Sequence, residues 1–235
     1  MFGALIFDMD GVLVDNSATY MEAWKRFLSE QSEAVRPDYP AHNIFGRRNA
    51  DLMPEVFLRA LTAEEIAECS DRLEAIYWQI AKQSLQPMPG LKAFLAAARE
   101  RDLPRALATS APAKNAALTL ELLGLSGAFA PVLTEEDVAR GKPDPEIYLQ
   151  AAARLGRPPA ECVVFEDSLP GVLAARGAGA ACVGLATSVS GAELATAGAG
   201  LVIADFTDPA LPRWLGWATL ARVAEAGRPG RGMRS

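Results

Sequence analysis

Short apolar runs alternate with amphipathic stretches along most of this chain. The first run is FGALIF at residues 2–7, and it stops at Asp8, which predicts a buried strand that leads into a loop. Later apolar runs have the length and the Gly or Pro flanks of strands, at 105–108, 131–133, 162–165, 181–185 and 200–203. Helical patterns lie between or beside them, at 91–101, 113–123, 145–155, 170–177 and 191–197. The alternation predicts an α/β fold, a Rossmann-like parallel sheet with helices on both faces.

The segment 15–86 has a different pattern. It contains no good strand candidate and ends in a Pro-rich hinge at 86–90. Its apolar positions have helical spacing over three stretches, 20–30, 51–60 and 63–84. We therefore predict an α-helical cap inserted into the α/β fold.

Three boundaries follow from this pattern. The core is expected to consist of residues 1–14 and 87–225, with the cap at 15–86 between them. The last segment, 226–235, is rich in Gly, Pro and Arg, which is typical of a disordered tail.

Composition narrows the classes of partner. The formal net charge of -6 argues against binding to nucleic acid or to an anionic membrane, since both need a basic face. No apolar run approaches the roughly 20 residues that span a bilayer, and no basic segment precedes the first run. The three separated cysteines predict buried free thiols in a reducing compartment. We expect a cytoplasmic monomer without a membrane or nucleic-acid partner.

Polar side chains cluster where the predicted strands end and one helix begins. They are Asp8 and Asp10, Thr109 and Ser110, Lys142, and Glu166 and Asp167. In an open parallel sheet, ligands bind beyond the carboxyl ends of the strands. We therefore expect these side chains to converge on one small volume.

The convergence of four acids calls for a cation. Like charges at close range raise each other's pKa unless a positive charge compensates them. Mg²⁺ prefers one or two carboxylates with water and phosphate oxygens, and Lys142 adds a further positive charge. Of Asp8 and Asp10, one can attack phosphorus while the other transfers a proton. Each element also has a structural explanation as a turn or a helix cap, but their order and positions together favour a Mg²⁺ site that binds a small phosphorylated metabolite.

Four sequence motifs resemble those of the haloacid dehalogenase superfamily. They are FDMDGVLVD at 7–15, Thr109 with Ser110, GKPDP at 141–145, and FEDS at 165–168. They occur in the order of the family and span the chain from residue 2 to about 205. Within the superfamily, the chain looks like the β-phosphoglucomutase-like phosphatases, which have a helical cap after the first motif.

The resemblance implies a catalytic role for three residues and a substrate-binding role for two. Asp8 would form an aspartyl-phosphate intermediate, and Asp10 would act as general acid and base. Thr109 and Ser110 would hold phosphate oxygens. Lys142 would bridge the nucleophile and the phosphate.

The resemblance also implies a set of metal ligands. Mg²⁺ would be bound by Asp8, by the backbone carbonyl of Asp10 and by Asp167. Glu166 would bind it through water or support the direct ligands.

Three alternative functions can be weighed. Haloacid dehalogenases lack the second aspartate, so Asp10 argues against dehalogenation. A β-phosphoglucomutase would carry a histidine near position 20, where Tyr20 and Met21 stand, and a cap arginine where Asn49 stands. These departures favour a phosphatase, with a phosphosugar mutase as the alternative. A non-catalytic binding protein on the same fold is the second alternative, although every expected catalytic position holds a competent side chain.

The cap loop GRRN at 46–49 contains the remaining candidate. Two adjacent arginines offer planar donors for a phosphate or carboxylate, and we predict that Arg47 binds substrate. The role of Arg48 is left open, and His42 is interpreted as structural. Helical spacing places three aromatic residues in the core rather than at the substrate: Trp24, Tyr77 and Trp78.

Overall fold

The structure is a computed structural model that describes residues 2–31, 44–82 and 84–217. Its strands form a single parallel sheet and are β1 (Ala4–Phe7), β2 (Arg105–Ala108), β3 (Val132–Leu133), β4 (Cys162–Glu166), β5 (Ala181–Leu185) and β6 (Leu201–Ile203). Their order across the sheet is β3-β2-β1-β4-β5-β6. The predicted α/β class and parallel sheet are confirmed.

Nine α-helices lie within the described residues. They are α1 (Ser17–Ser29), α2 (Asn49–Val56), α3 (Ala63–Ala81), α4 (Leu91–Arg99), α5 (Ala113–Leu122), α6 (Glu146–Arg154), α7 (Leu169–Ala178), α8 (Gly191–Ala197) and α9 (Ala210–Trp214). Short 3₁₀ turns at Glu135–Asp137 and Pro159–Glu161 complete the order. Helix α9 and the two turns were not predicted, because each is too short to show a periodic pattern.

Several cap helix boundaries differ from the predicted ones. Helix α2 ends at Val56 rather than at residue 60, since Leu58 has φ of 55°, which a right-handed helix does not allow. Helix α1 begins at Ser17, before the apolar pattern that marked it at residue 20. Helix α3 stops at Ala81, three residues before the predicted end. These are end effects and leave the helical nature of the cap unchanged.

Both faces of the sheet are buried. Alternate residues of β1 point to opposite sides, so Leu5 and Phe7 join one apolar layer while Ala4 and Ile6 join the other. Helices α4, α5 and α9 cover the first layer, and α6, α7 and α8 cover the second. Burial on both faces explains why the strands are short continuous apolar runs.

Helices α1, α2 and α3 form a third apolar cluster of their own. Its largest members include Trp24, Phe27, Met53 and Tyr77. The described part of 15–86 contains no strand, in agreement with the predicted helical cap. The predicted limits of core and cap stay a prediction, and the predicted tail at 226–235 lies outside the described residues.

The register of the sheet brings the ends of three strands together. Phe7 at the end of β1 is paired with Leu107 on β2 and with Phe165 on β4. The chain order reverses at β1, because β2 and β3 lie on one side and β4 to β6 on the other. This switch point is where an open α/β sheet leaves a crevice for a ligand.

Two further observations concern the composition-based predictions. Cys162 and Cys182 are buried free thiols, and Cys69 is a half-buried one. Among residues 2–31, 44–82 and 84–217, no helix is both long and apolar enough to cross a membrane. The expected cytoplasmic location and monomeric state stay predictions.

Candidate active site

Asp8 lies at the switch point, directly after β1. Its backbone N–H donates to the carbonyl of Phe165 on β4 at 3.0 Å, which holds it at the carboxyl edge of the sheet. The Nζ of Lys142 donates to its Oδ1 at 2.8 Å and to the Oε1 of Glu166 at 2.6 Å. All three side chains are buried, so the lysine links two carboxylates away from solvent.

Glu166, the last residue of β4, is bonded at both carboxylate oxygens. Its Oε1 accepts from Lys142 and from the hydroxyl of Tyr148 at 2.6 Å. Its Oε2 accepts from the backbone N–H of Asp167 at 2.9 Å and from both the N–H and the hydroxyl of Ser168. Burial raises the pKa of Glu166, but the charge and hydrogen bond of Lys142 outweigh it and the pKa is lowered. Glu166 is therefore held ionised and fixes the lysine.

The acid cluster fits Mg²⁺. Asp8, Glu166 and Asp167 are buried and offer carboxylate oxygens that lie within 4.8 Å of one another. Burial raises the pKa of Asp8 to about 7 and that of Asp167 well above its ordinary value, and neighbouring carboxylates add to both shifts. Lys142 alone does not balance three carboxylates, and an all-oxygen donor set suits a hard divalent cation. Because Glu166 is already bonded at both oxygens, Asp8 and Asp167 are the better placed direct ligands.

The turn that follows β1 is shaped around Asp167. Gly11 has φ of 70°, and a Cβ there would overlap the Asp167 carboxylate. The hydroxyl of Thr187 donates to the carbonyl of Gly11 at 2.7 Å, and the hydroxyl of Ser188 donates to Asp167. A glycine is therefore required at this position for the two loops to approach.

Asp10 is held by an asparagine at the start of the cap. The Nδ2 of Asn16 donates to Oδ1 of Asp10 at 2.6 Å and to the hydroxyl of Tyr77 at 2.7 Å. The Oδ1 of Asn16 accepts from the N–H of Gly11 at 3.3 Å. Burial raises the pKa of Asp10, although the bond from Asn16 opposes this shift. The side chain is thus oriented by a residue that the sequence analysis did not single out.

Thr109 and Ser110 follow β2, beside Asp8. Thr109 is buried, and its hydroxyl accepts from the N–H of Ala111 at 3.1 Å. The hydroxyl of Ser110 donates to the carbonyl of Gly46 in the cap at 2.9 Å. Both residues are brought to the same space as Asp8, as their strand-end positions predict.

A cavity lies between cap and core, and we call it the cap–core cavity. It measures about 720 Å³ including its opening to solvent. Its core wall includes Asp8, Asp10, Thr109, Ser110, Asn115 and Asp167. Its cap wall includes Tyr20, Arg47, Asn49, Glu74, Tyr77 and Trp78. Five of the seven core-motif candidates line this cavity, namely Asp8, Asp10, Thr109, Ser110 and Asp167. Lys142 contacts the cavity through Asp8, and Glu166 holds Lys142 in place.

Arg47 lines the cap–core cavity, but its guanidinium bonds within the cap. It donates to the carboxylate of Glu55 at 2.6 and 3.1 Å and to the carbonyl of Asp51 at 3.2 Å. The structure therefore places it near the site with partners of its own, and its role in substrate binding stays a prediction.

Arg48 connects the cap to the core. It bonds both carboxylate oxygens of Asp51, at 2.8 and 3.0 Å, and lies 3.3 Å from the carbonyl of Ala139 in the loop before Lys142. His42, interpreted above as structural, lies outside the described residues.

Several cavity residues escaped the sequence analysis. Trp24 is in the cap core as predicted, whereas Tyr77 and Trp78 also face the cavity. Glu74 is 8% exposed although helical acids are usually at the surface. Its position between the buried residues Leu73 and Ile76 is the signal that could have marked it.

The geometry can be compared with known proteins. A family model described as haloacid dehalogenase-like hydrolase matches residues 2–179. The chain belongs to the haloacid dehalogenase-like hydrolases. The resemblance stated from the four motifs is thereby confirmed, as is the prediction of an enzyme.

Relatives within this family extend over most of the chain. A phosphorylated carbohydrates phosphatase of Thermotoga maritima is 35% identical over 75% of this chain and 81% of its own length. The fructose-1-phosphate phosphatase YqaB of Escherichia coli is 31% identical over 76% of this chain and 93% of its own. The structure of a hydrolase from Pseudomonas syringae covers 92% of this chain and 100% of its own, with a TM-score of 0.81 and 28% identity.

Proposed function

We propose that this haloacid dehalogenase-like hydrolase is a Mg²⁺-dependent phosphatase of a small phosphorylated metabolite. One observation carries the proposal: Asp8 faces the cap–core cavity with Lys142 Nζ at 2.8 Å and two further buried carboxylates within 4.8 Å. A carboxylate nucleophile, a fixed cation and an acidic metal site are the elements that phosphoryl transfer to an enzyme side chain requires.

In the first step, a carboxylate oxygen of Asp8 attacks phosphorus and forms an aspartyl phosphate. The ester P–O bond breaks, and Asp10 gives a proton to the leaving oxygen. Thr109 and Ser110 hold the phosphate oxygens from the neighbouring strand. Lys142 keeps the nucleophile oriented, because it is itself held by Glu166.

In the second step, water attacks the phosphorus of the aspartyl phosphate. Asp10 takes a proton from this water, the bond from phosphorus to Asp8 breaks, and inorganic phosphate leaves with Asp8 restored. Asn16 holds Asp10 in one orientation for both proton transfers.

The metal would be held by Asp8 and Asp167, with the carbonyl of Asp10 as the further protein ligand implied by the family. When bound, Mg²⁺ would supply charge neutralisation for the transferring phosphoryl group. Glu166 would take part through water or through its hold on Lys142.

The names of the relatives indicate which esters to test first. Both curated relatives described above act, by name, on phosphorylated carbohydrates or on fructose 1-phosphate. A leaving group of that kind would lie in the cavity between cap and core. A mutase on the same fold remains the alternative, although Tyr20 and Asn49 stand where the mutase residues would be.

The test is phosphate release from a panel of small esters, with Mg²⁺ or with EDTA. The panel includes fructose 1-phosphate, sorbitol 6-phosphate, 2-phosphoglycolate, p-nitrophenyl phosphate and β-glucose 1-phosphate. Mg²⁺-dependent release of phosphate is the expected result. Conversion of β-glucose 1-phosphate to glucose 6-phosphate without release would assign a mutase, and no reaction in either assay would contradict an enzymatic role toward these esters.

A further inference from the structure

The cap–core cavity contains a second polar cluster that the phosphoryl-transfer chemistry does not use. Glu74 on α3 is 8% exposed and accepts from the Nδ2 of Asn115 on α5 at 2.5 Å. The side chain of Asn49, at the start of α2, lies near Glu74 and favours its ionised form. All three side chains line the same cavity as Asp8.

The orientation of this cluster is fixed by its neighbours. The indole N–H of Trp78 donates to Oδ1 of Asn115 at 3.1 Å, so the other end of this amide is directed at Glu74. The hydroxyl of Tyr20 donates to Oδ1 of Asn49 at 3.3 Å, which leaves the amide nitrogen of Asn49 for Glu74. The amide of Asn115 therefore donates to this carboxylate, and the amide of Asn49 lies near it.

The carboxylate of Glu74 has acceptor capacity beyond the bond from Asn115. An ionised carboxylate has about four acceptor positions, and the Nδ2 of Asn115 occupies one of them. A buried charge with unused acceptors is costly unless another donor reaches it. Hydroxyl groups of a bound molecule are donors that suit this position, and each can in turn accept from the flanking amides.

The charged side chains that line the cavity limit the kind of leaving group that can bind there. Among the described lining residues, the carboxylates are Asp8, Asp10, Glu74 and Asp167, whereas Arg47 is the cation and is bonded to Glu55. A second phosphate or a carboxylate on the leaving group would meet like charges there. A neutral leaving group with several hydroxyls meets acceptors, amides and aromatic walls instead.

We propose that Glu74, with Asn49 and Asn115, binds hydroxyl groups of the leaving group and selects neutral polyhydroxy phosphate monoesters, such as sugar or sugar-alcohol phosphates. The proposal rests on the proposed phosphatase function. It makes Glu74 a specificity residue of the cap, distinct from the residues that transfer the phosphoryl group.

The test compares kcat/KM of the wild type, Glu74→Gln and Glu68→Gln. Glu68 is an exposed glutamate on the same helix and serves as the matched control. The substrates are sorbitol 6-phosphate and fructose 1-phosphate, p-nitrophenyl phosphate, which has no hydroxyl groups, and 2-phosphoglycolate, which has a second anionic group. We expect Glu74→Gln to lose about 10- to 100-fold on the two polyol phosphates and less than about threefold on the aryl phosphate, because only the former donate to the carboxylate. Glu68→Gln should match the wild type on all four.

A second variant separates recognition from folding. Glu74→Asp keeps the charge and should retain part of the polyol preference, whereas activity on the aryl phosphate reports that each variant is folded. Equal losses on every ester in Glu74→Gln, or a wild type that prefers 2-phosphoglycolate to both polyol phosphates, would overturn the proposed subsite. A wild type that releases no phosphate from any ester contradicts the phosphatase itself. If Glu74→Gln hydrolyses the aryl phosphate and keeps the wild-type preference for polyol phosphates, the proposed subsite is wrong but the phosphatase function stands.

Discussion

At the scale of single residues, Asp8 is the position on which the proposed chemistry depends. Asp8→Asn removes the nucleophile while it keeps the shape of the side chain, so we expect phosphate release to fall by at least about 10³-fold. The fold should persist, because Lys142 keeps Glu166 as a partner and a buried carboxylate is replaced by a neutral amide. Steady-state phosphate release and thermal unfolding measure the two effects.

The matched control for this variant is Asp102→Asn. Asp102 is exposed and precedes β2, so it lies toward the opposite edge of the sheet from Asp8. Its φ of 52° is one that asparagine tolerates. Turnover in Asp8→Asn within a few fold of that in Asp102→Asn would exclude a covalent mechanism on Asp8.

Glu74 gives a second prediction at this scale, on stability against pH. Burial, and then the charge of Asp10, raise the pKa of Glu74 from 4.5 to about 7, while the bond from Asn115 and the charge of Lys114 oppose the shift. The folded state therefore binds this proton more tightly than the unfolded state, and the group lowers stability as the pH rises from about 4.5 to 7. Glu74→Gln should remove this loss and stabilise the protein by about 1–3 kcal/mol at pH 8. At pH 4.5 the difference should be small.

Urea unfolding of both proteins at pH 4.5, 6, 7 and 8 measures this difference. A gap that widens with pH and levels off above pH 7 is the expected result. A gap that is constant over the range would mean that Glu74 does not titrate differently in the folded state. Stabilisation by a variant that loses polyol selectivity would also show that the carboxylate is kept for function rather than for folding.

The sequence predicts the acidic residues at the strand ends better than it predicts the polar cluster around Glu74. Asp8, Asp10 and Asp167 follow strands directly, and short local patterns at strand ends point to the same edge of a parallel sheet. Glu74 and Asn115 lie 41 residues apart on different helices. Their contact depends on how the cap docks on the core, which local periodicity does not encode. Arg47 was predicted at the cavity without its partner Glu55, because the two lie eight residues apart and only the turn from the cap loop into α2 brings them together.

At the scale of elements, the contacts that join the cap to the core differ in how much they contribute to stability. Arg48 is half-buried, bonds Asp51 at two oxygens and reaches the core carbonyl of Ala139. The pair of Lys114 with Asp71 also joins core and cap, but its side chains are 61% and 70% exposed. An exposed pair contributes little to stability, so the arginine is the stronger connection.

Substitution of each cation tests this ranking. Arg48→Ala should raise KM by about threefold to tenfold, a loss of about 0.7–1.4 kcal/mol in cap docking. Lys114→Ala should change KM by less than about twofold. Steady-state kinetics on one ester measure both, and hydrogen exchange in α2 reports cap docking independently. Equal effects of the two variants would show that the Arg48 contacts do not hold the cap.

The elements themselves were predicted better than their ends. The strands were recognised because burial on both faces makes them continuous apolar runs with clear flanks. The predicted end of helix α2 lies four residues too late, since nothing in the pattern marks the positive φ of Leu58. The order of the strands was not predicted, because a parallel sheet leaves open on which side of β1 each later strand is added.

At the scale of the whole molecule, the protein has net charge -6 and is proposed to bind an anionic substrate. The protein can bind an anionic substrate despite its negative net charge, because the positive charge of Lys142 is buried beside Asp8. Lys142 is 2% exposed, and Asp8 and Glu166 hold its pKa above the ordinary value despite burial. A single buried lysine and a bound divalent cation can attract one phosphate without a basic surface.

The last prediction concerns the effect of Mg²⁺ on the stability of the folded protein. A cation that binds only the folded state stabilises it by RT ln(1 + [L]/Kd), about 2.7 kcal/mol at 100 times Kd. For a chain of this size, saturating Mg²⁺ should therefore raise Tm by about 5–10 °C over that in EDTA. Asp167→Asn should lose most of this shift, because it removes a buried carboxylate from the cluster. Asp102→Asn should keep it. Thermal unfolding without substrate measures all three, so the result does not depend on which ester the enzyme uses. An equal shift in Asp167→Asn would place the cation elsewhere, and no shift in the wild type would contradict a metal site at the carboxyl edge of the sheet.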